Sequence, residues 1–292
     1  MIESMNGDLV FTTTSDYARL HGFYKKSQTR VDLAPKWGEL DSVVLTHGLG
    51  GNFYSSRLLL HFAQTFLDLG LSVVIGNTRG HDMVNSTTWG GRTQSIGSAL
   101  ENVSDCIFDL ASWSDFLVKK GHRKVLLFGH SLGAIKSLYA QAHSPHSAVA
   151  AIIGLSATRL GYHKLIATPR GALFRETIER CRSLIESGSG ETPVHVMFPF
   201  PTWMTPQCYL DKYGPDETYN WINFIEKVET PTLMLFGQKE LDDDPAFEGV
   251  RDELQQLKTS WNAPEIREIE EADHFYSAKF NEVDQVIRQW IC

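Results

Sequence analysis

The chain of 292 residues is long enough for one large α/β domain with an insertion, and 42% hydrophobic with 21% charged residues is typical of a globular enzyme. A formal net charge of −8 disfavours nucleic acid as a partner, and no apolar run reaches membrane-spanning length. The first residues lack the basic and apolar regions of a secretory signal, so we expect a cytoplasmic protein. The cysteines lack C-x-x-C pairing and are predicted to be free thiols rather than metal ligands: Cys106, Cys181, Cys208 and Cys292.

The chain begins with two β-prone runs, residues 9–14 and 19–24, which predict an antiparallel hairpin at the edge of a sheet. The apolar run 42–46 then predicts a buried strand that leads into the glycine-rich residues 47–52. Glycines at that place would let backbone N–H groups approach a ligand closely, as an oxyanion hole requires. A purely structural turn would use the same glycines, so both interpretations stay open at this point.

Helical and strand patterns alternate through the first half of the chain. Apolar periodicity predicts helices over residues 55–69 and 100–117, which end before Gly70 and Gly121, with a loop over 90–93. Further strands are predicted at residues 71–76, 125–129 and 148–155. This alternation predicts an α/β fold with a mostly parallel sheet and helices on both of its faces.

The strand at 125–129 is followed by the motif Gly129-His130-Ser131-Leu132-Gly133. In a G-x-S-x-G turn between a strand and a helix, the serine is held in a strained conformation with its hydroxyl above the sheet. Ser131 is therefore a candidate nucleophile, although a glycine-rich turn before an ordinary helix would carry the same letters.

The alternation stops between residues 158 and 230, which we predict to form a cap or lid insertion. A helix is expected near residues 173–186, followed by a Ser-Gly hinge and an aromatic-rich segment. Such aromatic residues form either the core of the insertion or the wall of an apolar pocket. For the pocket we select Phe198, Trp203 and Met204, since the neighbouring prolines disfavour a regular helix there.

The sheet resumes with strands predicted at residues 231–237 and 265–270, with helices reaching about residue 258 and residue 291. Glu240 follows the first of these strands and His274 follows the second. A core domain of residues 1–157 and 231–292, interrupted by the insertion 158–230, is the predicted organisation. The order serine, acid, histidine at strand ends then suggests a catalytic triad.

The chain resembles the α/β-hydrolase superfamily of serine hydrolases, which includes esterases and lipases, over nearly its whole length. Five motifs carry the resemblance: the Ser131 pentapeptide, His47-Gly48, Arg79-Gly80-His81, Gly237-x-x-Glu240 and Asp273-His274. The resemblance implies that Ser131 attacks an acyl carbonyl, that His274 serves as base and then acid, and that the N–H groups of Leu49 and Leu132 hold the oxyanion. Residues 51–54 and 77–82 also resemble a subgroup with fungal siderophore ester hydrolases, from which we carry no substrate over.

Glu240 is the first choice for the acid of the triad, and Asp242 is the second. Asp at the position of Glu240 is usual in the superfamily, but a glutamate is chemically adequate. Asp243 and Asp244 are expected at the solvated start of the next helix, and Asp273 should point away from the His274 ring. His47, His130 and Arg79 match superfamily positions where we expect bracing of the site rather than direct catalysis.

Ester hydrolysis of a small apolar substrate is the predicted reaction, without a cofactor or a metal. A thioester, a lactone, acyl transfer or carbon–carbon hydrolysis would use the same triad, and a small-molecule receptor can share the fold. A serine at residue 131 argues against haloalkane dehalogenases and epoxide hydrolases, which place an aspartate there. The oligomeric state cannot be read from the sequence.

Overall fold

The computed structural model describes residues 5–29, 33–257 and 263–292. An eight-stranded sheet organises these residues, and four further strands form two small hairpins. In chain order the strands are β1 (Asp8–Thr13), β2 (Arg19–Lys25), β3 (Leu40–Thr46), β4 (Ser72–Gly76), β5 (Asn85–Trp89), β6 (Arg92–Ile96), β7 (Lys124–His130), β8 (Val149–Leu155), β9 (Val194–Val196), β10 (Thr202–Met204), β11 (Thr232–Gly237) and β12 (Glu265–Ile269).

The α-helices of the described residues follow most of the sheet strands. They are α1 (Arg57–Asp68), α2 (Cys106–Lys119), α3 (Leu132–His143), α4 (Tyr162–Leu165), α5 (Gly171–Glu186), α6 (Pro206–Tyr213), α7 (Gln238–Asp243), α8 (Val250–Leu257) and α9 (Phe280–Ile291). No described helix is long and apolar enough to cross a bilayer.

The strand order of the large sheet is β1-β2-β4-β3-β7-β8-β11-β12. From β4 to β12 every neighbouring pair is parallel, whereas β1 and β2 form the predicted antiparallel edge. The strands β3, β7 and β8 are almost entirely buried because helices cover both faces of the sheet. The carboxyl ends of the parallel strands therefore meet at one edge, where loops distant in sequence converge.

Two local predictions need correction. Residues 90–93, expected to form a loop, belong to the β5–β6 hairpin, whose turn is Gly90-Gly91 with φ of 57° and 79°. This turn matches the right-handed twist of two strands, while the polar residues around it hide the usual apolar alternation. In addition, Asp243 and Asp244, expected at the start of the next helix, instead end the short helix α7, which also contains Glu240. The closing part of the predicted helix, at residue 258, lies outside the described residues.

The insertion between β8 and β11 contains α4, α5, the β9–β10 hairpin and α6. Its apolar residues join α3 and the adjacent sheet face in one buried cluster, which includes Phe174, Tyr209 and Trp221. The insertion is thus packed onto α3 and the part of the sheet that carries β8 and β11.

Candidate active site

Ser131 lies in a strained turn between β7 and α3. Its backbone has φ 56° and ψ −123°, a conformation that costs free energy for any residue other than glycine. Its N–H donates a hydrogen bond of 2.8 Å to the carbonyl of Leu155 in the neighbouring strand. The strain is therefore sustained by the sheet, and it fixes where the Ser131 side chain begins.

The two glycines of the pentapeptide are required by close packing. A Cβ at Gly129 would lie 2.2 Å from the carbonyl oxygen of Gly133. A Cβ at Gly133 would lie 2.5 Å from the carbonyl oxygen of Thr46 and 2.6 Å from that of His47. Because real Cβ contacts are never this short, these positions let α3 start directly against the end of β3.

His274 and Glu240 are hydrogen-bonded to each other after β12 and β11. His274 Nδ1 lies 2.8 Å from Glu240 Oε2, and the Glu240 side chain is only 1% exposed. A carboxylate oxygen accepts, so Nδ1–H is the donor of this hydrogen bond and Nε2 is the ring nitrogen left outside it. Glu240 thereby selects the tautomer that a general base needs.

The second oxygen of Glu240 is held by the protein. Glu240 Oε1 accepts a hydrogen bond of 2.8 Å from the Gly237 N–H and one of 2.7 Å from the Ser156 hydroxyl. The Tyr276 hydroxyl lies 2.9 Å from both Ser156 Oγ and the Leu235 carbonyl oxygen. Sequence reasoning missed Ser156 and Tyr276, since only the end of β8 beside β11 brings them to the carboxylate.

Two buried histidines stand beside the site as neutral rings. His130 Nε2 donates to the carbonyl of His274 at 2.7 Å, which fixes the loop that carries the latter. Burial, assisted by the nearby His274, lowers the pKa of His130 to about 3. His47 Nδ1 donates to the Gly48 carbonyl at 2.8 Å while its Nε2 accepts from the Thr78 N–H at 3.1 Å. Burial lowers the pKa of His47 to about 3 as well, so these rings brace loops instead of exchanging protons.

The loop after β3 is tied down at its far end by Asp82. This carboxylate accepts from Asn52 at 2.7 Å and from the Tyr54 hydroxyl at 2.7 Å, and its own N–H donates to the Gly51 carbonyl. Partial burial raises the pKa of Asp82, but the hydrogen bonds, that of Tyr54 first, outweigh it and bring the pKa to about 2. The loop with Leu49 is thus anchored on both sides.

Ser131 and His274 line one cavity of about 580 Å³, together with Leu49 and Leu132. Leu132 is the first residue of α3, and Gly48, which precedes Leu49, would place a Cβ 3.1 Å from that of Ser131. The structure therefore brings the predicted nucleophile, base and oxyanion residues to one place. Residues of the insertion complete the wall: Leu160, Leu165, Arg170, Pro199, Phe200, Lys212 and Tyr213.

A sequence model described as the alpha/beta hydrolase family matches residues 43–282. The chain belongs to this family. No protein in a search of curated sequences matches it. Among solved structures, GrgF of Penicillium sp. sh18, an alpha/beta hydrolase, superposes with a TM-score of 0.68 at 15% identity over 98% of this chain and 96% of that one.

A lipase and an esterase of known structure have similar folds. A soluble variant of the monoglyceride lipase of Saccharomyces cerevisiae gives a TM-score of 0.66 at 15% identity, covering 99% of this chain and 96% of that one. A Pyrococcus furiosus esterase gives a TM-score of 0.61 at 16% identity, covering 97% of this chain and 89% of that one. At these identities the likeness shows the fold alone, and it confirms the α/β-hydrolase fold predicted from the motifs.

Other acidic candidates of this alpha/beta hydrolase are engaged elsewhere. Asp242 is exposed and lies 2.5 Å from the guanidinium of Arg251. The carboxylate of Asp273 accepts the N–H groups of Phe275 and Ser277 at 3.0 and 2.9 Å. Neither of them forms the contact that Glu240 makes with His274.

The selected pocket residues of the insertion need correction. Phe198 and Met204 are buried in the apolar cluster of the insertion, where the Phe198 ring lies 4.6 Å from that of Phe174. Trp203 is 47% exposed on β10, and none of the three lines the cavity. Of this segment, their neighbours Pro199 and Phe200 line the cavity instead.

Arg79 is a structural residue of the fold. Its buried guanidinium lies 2.8 Å from Asp109 and 2.9 Å from Asp16, and it also pairs with Asp105 at 3.2 Å. These contacts join the loop after β4 to α2 and to the β1–β2 turn. None of these partners lines the cavity, so the bracing of the site by Arg79 stays a prediction.

Proposed function

We propose that this alpha/beta hydrolase cleaves a carboxylic ester of a small, largely apolar substrate through a Ser131-His274-Glu240 triad. The observation that supports the proposal most is the 2.8 Å contact between His274 Nδ1 and the buried Glu240 carboxylate, beside a strained serine that lines the same cavity. A serine hydroxyl is a poor nucleophile alone, and this arrangement supplies the base that activates it.

In the proposed reaction Ser131 Oγ attacks the acyl carbonyl while His274 Nε2 accepts the hydroxyl proton. The imidazolium that forms is stabilised by Glu240, and the N–H groups of Leu49 and Leu132 hold the negative oxygen. His274 then donates its proton to the leaving alcohol, which leaves an acyl group on Ser131. A water molecule, deprotonated by the same histidine, releases the acid and restores the serine.

We further propose that residues 158–230 form a cap over a core domain of residues 1–157 and 231–292. Supporting this, Leu165, Phe200 and Tyr213 of the insertion line the cavity opposite Ser131 and His274. Apolar residues at the wall suit an acyl or alcohol group of limited size. The location in the cytoplasm stays a prediction from the sequence.

Turnover of p-nitrophenyl hexanoate by the wild type and by Ser131→Ala tests the proposal. We expect many turnovers per active site for the wild type and a loss of roughly a thousandfold or more in kcat for the variant, since the hydroxyl and its base act as a unit. A single turnover, or none, would instead favour a receptor. Activity on a thioester or a lactone but not on oxygen esters would move the reaction to that class with the triad unchanged.

A further inference from the structure

The cavity wall is positively charged although the chain as a whole has a net charge of −8. Its charged residues are three cations, Arg159, Arg170 and Lys212, and one carboxylate, Asp244, with His47 and His130 held neutral by burial. A concentration of one sign of charge in an apolar cavity favours ligands of the opposite sign. Whether each of these cations can bind a ligand depends on the protein groups with which it is already paired.

Arg170 is the cation whose charge the protein does not balance. Its guanidinium donates to the carbonyls of Pro199 and Met197 at 2.8 and 3.1 Å, and no carboxylate of the described residues pairs with it. The two carbonyls fix its position beside Phe200 on the wall. A guanidinium has five N–H donors in a fork that fits a carboxylate, so Arg170 keeps donors for a ligand.

The other two cations are already paired. Arg159 is only 9% exposed and lies 3.1 Å from Glu253, although its Nε has no hydrogen-bond partner among the described residues. Lys212 shares the buried carboxylate of Glu101 with Lys136, at 3.5 and 2.7 Å, and it also interacts electrostatically with the neighbouring Asp211. Burial raises the pKa of Glu101, but the two lysines outweigh it and lower the pKa to about 2, which keeps the carboxylate charged.

We propose that the natural ester carries a carboxylate, which is bound by Arg170 at the wall of the cavity. The inference rests on the proposed ester hydrolysis and adds the class of substrate: an apolar ester with one anionic end. Asp244, the one carboxylate of the wall, is exposed to solvent, which screens its repulsion of an anion as it screens the attraction of Arg170.

Matched pairs of esters test the inference. Mono-p-nitrophenyl adipate and p-nitrophenyl hexanoate have acyl chains of equal length and differ in one carboxylate. A second pair, 4-(hexanoyloxy)benzoate and 4-(hexanoyloxy)benzamide, places the carboxylate on the leaving group. We expect the wild type to favour the anionic member of one pair in kcat/KM, and added NaCl to reduce this preference by screening.

Arg170→Gln should lower the preference for the anionic ester roughly three- to tenfold, because Arg170 is exposed and its charge is partly screened. Arg180→Gln is the matched control: Arg180 donates to the His195 carbonyl of the same hairpin at 3.1 Å but does not line the cavity. Both variants change the net charge equally. Equal preferences in wild type, Arg170→Gln and Arg180→Gln, or a wild-type preference for the neutral member of both pairs, would overturn the inference.

Binding to Ser131→Ala separates this inference from the proposed function. Ligand-observed NMR would compare monomethyl adipate with methyl hexanoate, and 4-(hexanoyloxy)benzoate with 4-(hexanoyloxy)benzamide, with and without Arg170→Gln. Tighter binding of the anionic member of one pair that Arg170→Gln removes would support the anion site even if no ester were hydrolysed. Equal binding within both pairs would count against the anion site even if neutral esters were hydrolysed.

Discussion

The edge of the sheet and the β9–β10 hairpin of the insertion both contribute to the cavity wall, but they are determined in different ways. At the sheet edge, backbone strain at Ser131 and buried hydrogen bonds at Glu240 fix each side chain. In the hairpin, Pro199 and Phe200 of the segment between β9 and β10 line the cavity, whereas Trp203 on β10 does not. The proposed chemistry thus belongs to the sheet edge, and the proposed selection of the substrate belongs to the insertion.

The largest expected effect is a difference in kcat between variants of Glu240 and Asp242, two carboxylates that lie two residues apart. Glu240→Gln should lower kcat by roughly a thousandfold or more, because an amide cannot stabilise the imidazolium and permits the wrong tautomer. Asp242→Asn removes only an exposed ion pair with Arg251 and should leave kcat nearly unchanged. Steady-state kinetics on p-nitrophenyl hexanoate, with thermal unfolding of both variants, measure this difference. Reversed outcomes would move the acid to Asp242.

Acid pH should weaken the sheet edge through its neutral histidines. The pKa of His130 falls from its ordinary 6.5 to about 3 in the folded chain. Below pH 6.5 the unfolded chain therefore binds a proton that the folded chain rejects, so the stability is complete above pH 6.5 and is lost as the pH falls toward 3. At pH 5 the loss for this one group is about 2 kcal/mol.

The variant His130→Gln isolates that contribution. Urea unfolding at pH 7 and pH 5 gives the decrease in the free energy of unfolding for each protein, and we expect this decrease to be about 2 kcal/mol smaller in the variant. His143→Gln is the control, since this ring is exposed and donates only to the nearby Tyr139 carbonyl. The same decrease in all three proteins would show that His130 is not held neutral by the fold.

Smaller effects on activity are expected from substitutions in the hairpin, where Phe200 lines the cavity and Trp203 does not. Phe200→Ala should reduce the preference for octanoate over acetate esters roughly three- to tenfold, because the half-exposed ring contributes part of its apolar area to the wall. Trp203→Ala should leave that preference unchanged, since its side chain does not line the cavity. The ratio of kcat/KM for octanoate to that for acetate measures the preference of each variant. A reduced preference in Trp203→Ala with no change in Phe200→Ala would show that Trp203, and not Phe200, contacts the acyl chain.

The sequence allowed the sheet edge to be predicted well because its signals are local. Gly129, Ser131 and Gly133 are adjacent in one turn, and Glu240 and His274 each follow an apolar strand directly. The approach of Ser156 to Glu240 could not be predicted, since it joins residues 84 positions apart. The buried pair of Lys136 and Glu101 was missed for the same reason.

The faces of the insertion could not be assigned from the sequence for a different reason. Along β10, Thr202 and Met204 are buried and Trp203 is exposed, so a shift of one residue would exchange the two faces. Apolar residues occur on both faces of this hairpin, which removes the usual signal. Phe200 lies in the segment between β9 and β10, where strand alternation makes no prediction, so the sequence did not distinguish it as the aromatic residue that lines the cavity.

Labelling with a fluorophosphonate probe tests the central claim most directly, since such probes react with an activated serine. The wild-type protein is treated with the probe, digested and mapped by mass spectrometry, with Glu240→Gln and Ser137→Ala treated in parallel. We predict one adduct, on Ser131, at a rate that falls steeply in Glu240→Gln and is unchanged when the buried Ser137, which donates to the Gly133 carbonyl within α3, is replaced. An adduct on any other residue, or equal labelling of Ser131 in Glu240→Gln, would contradict the proposed triad.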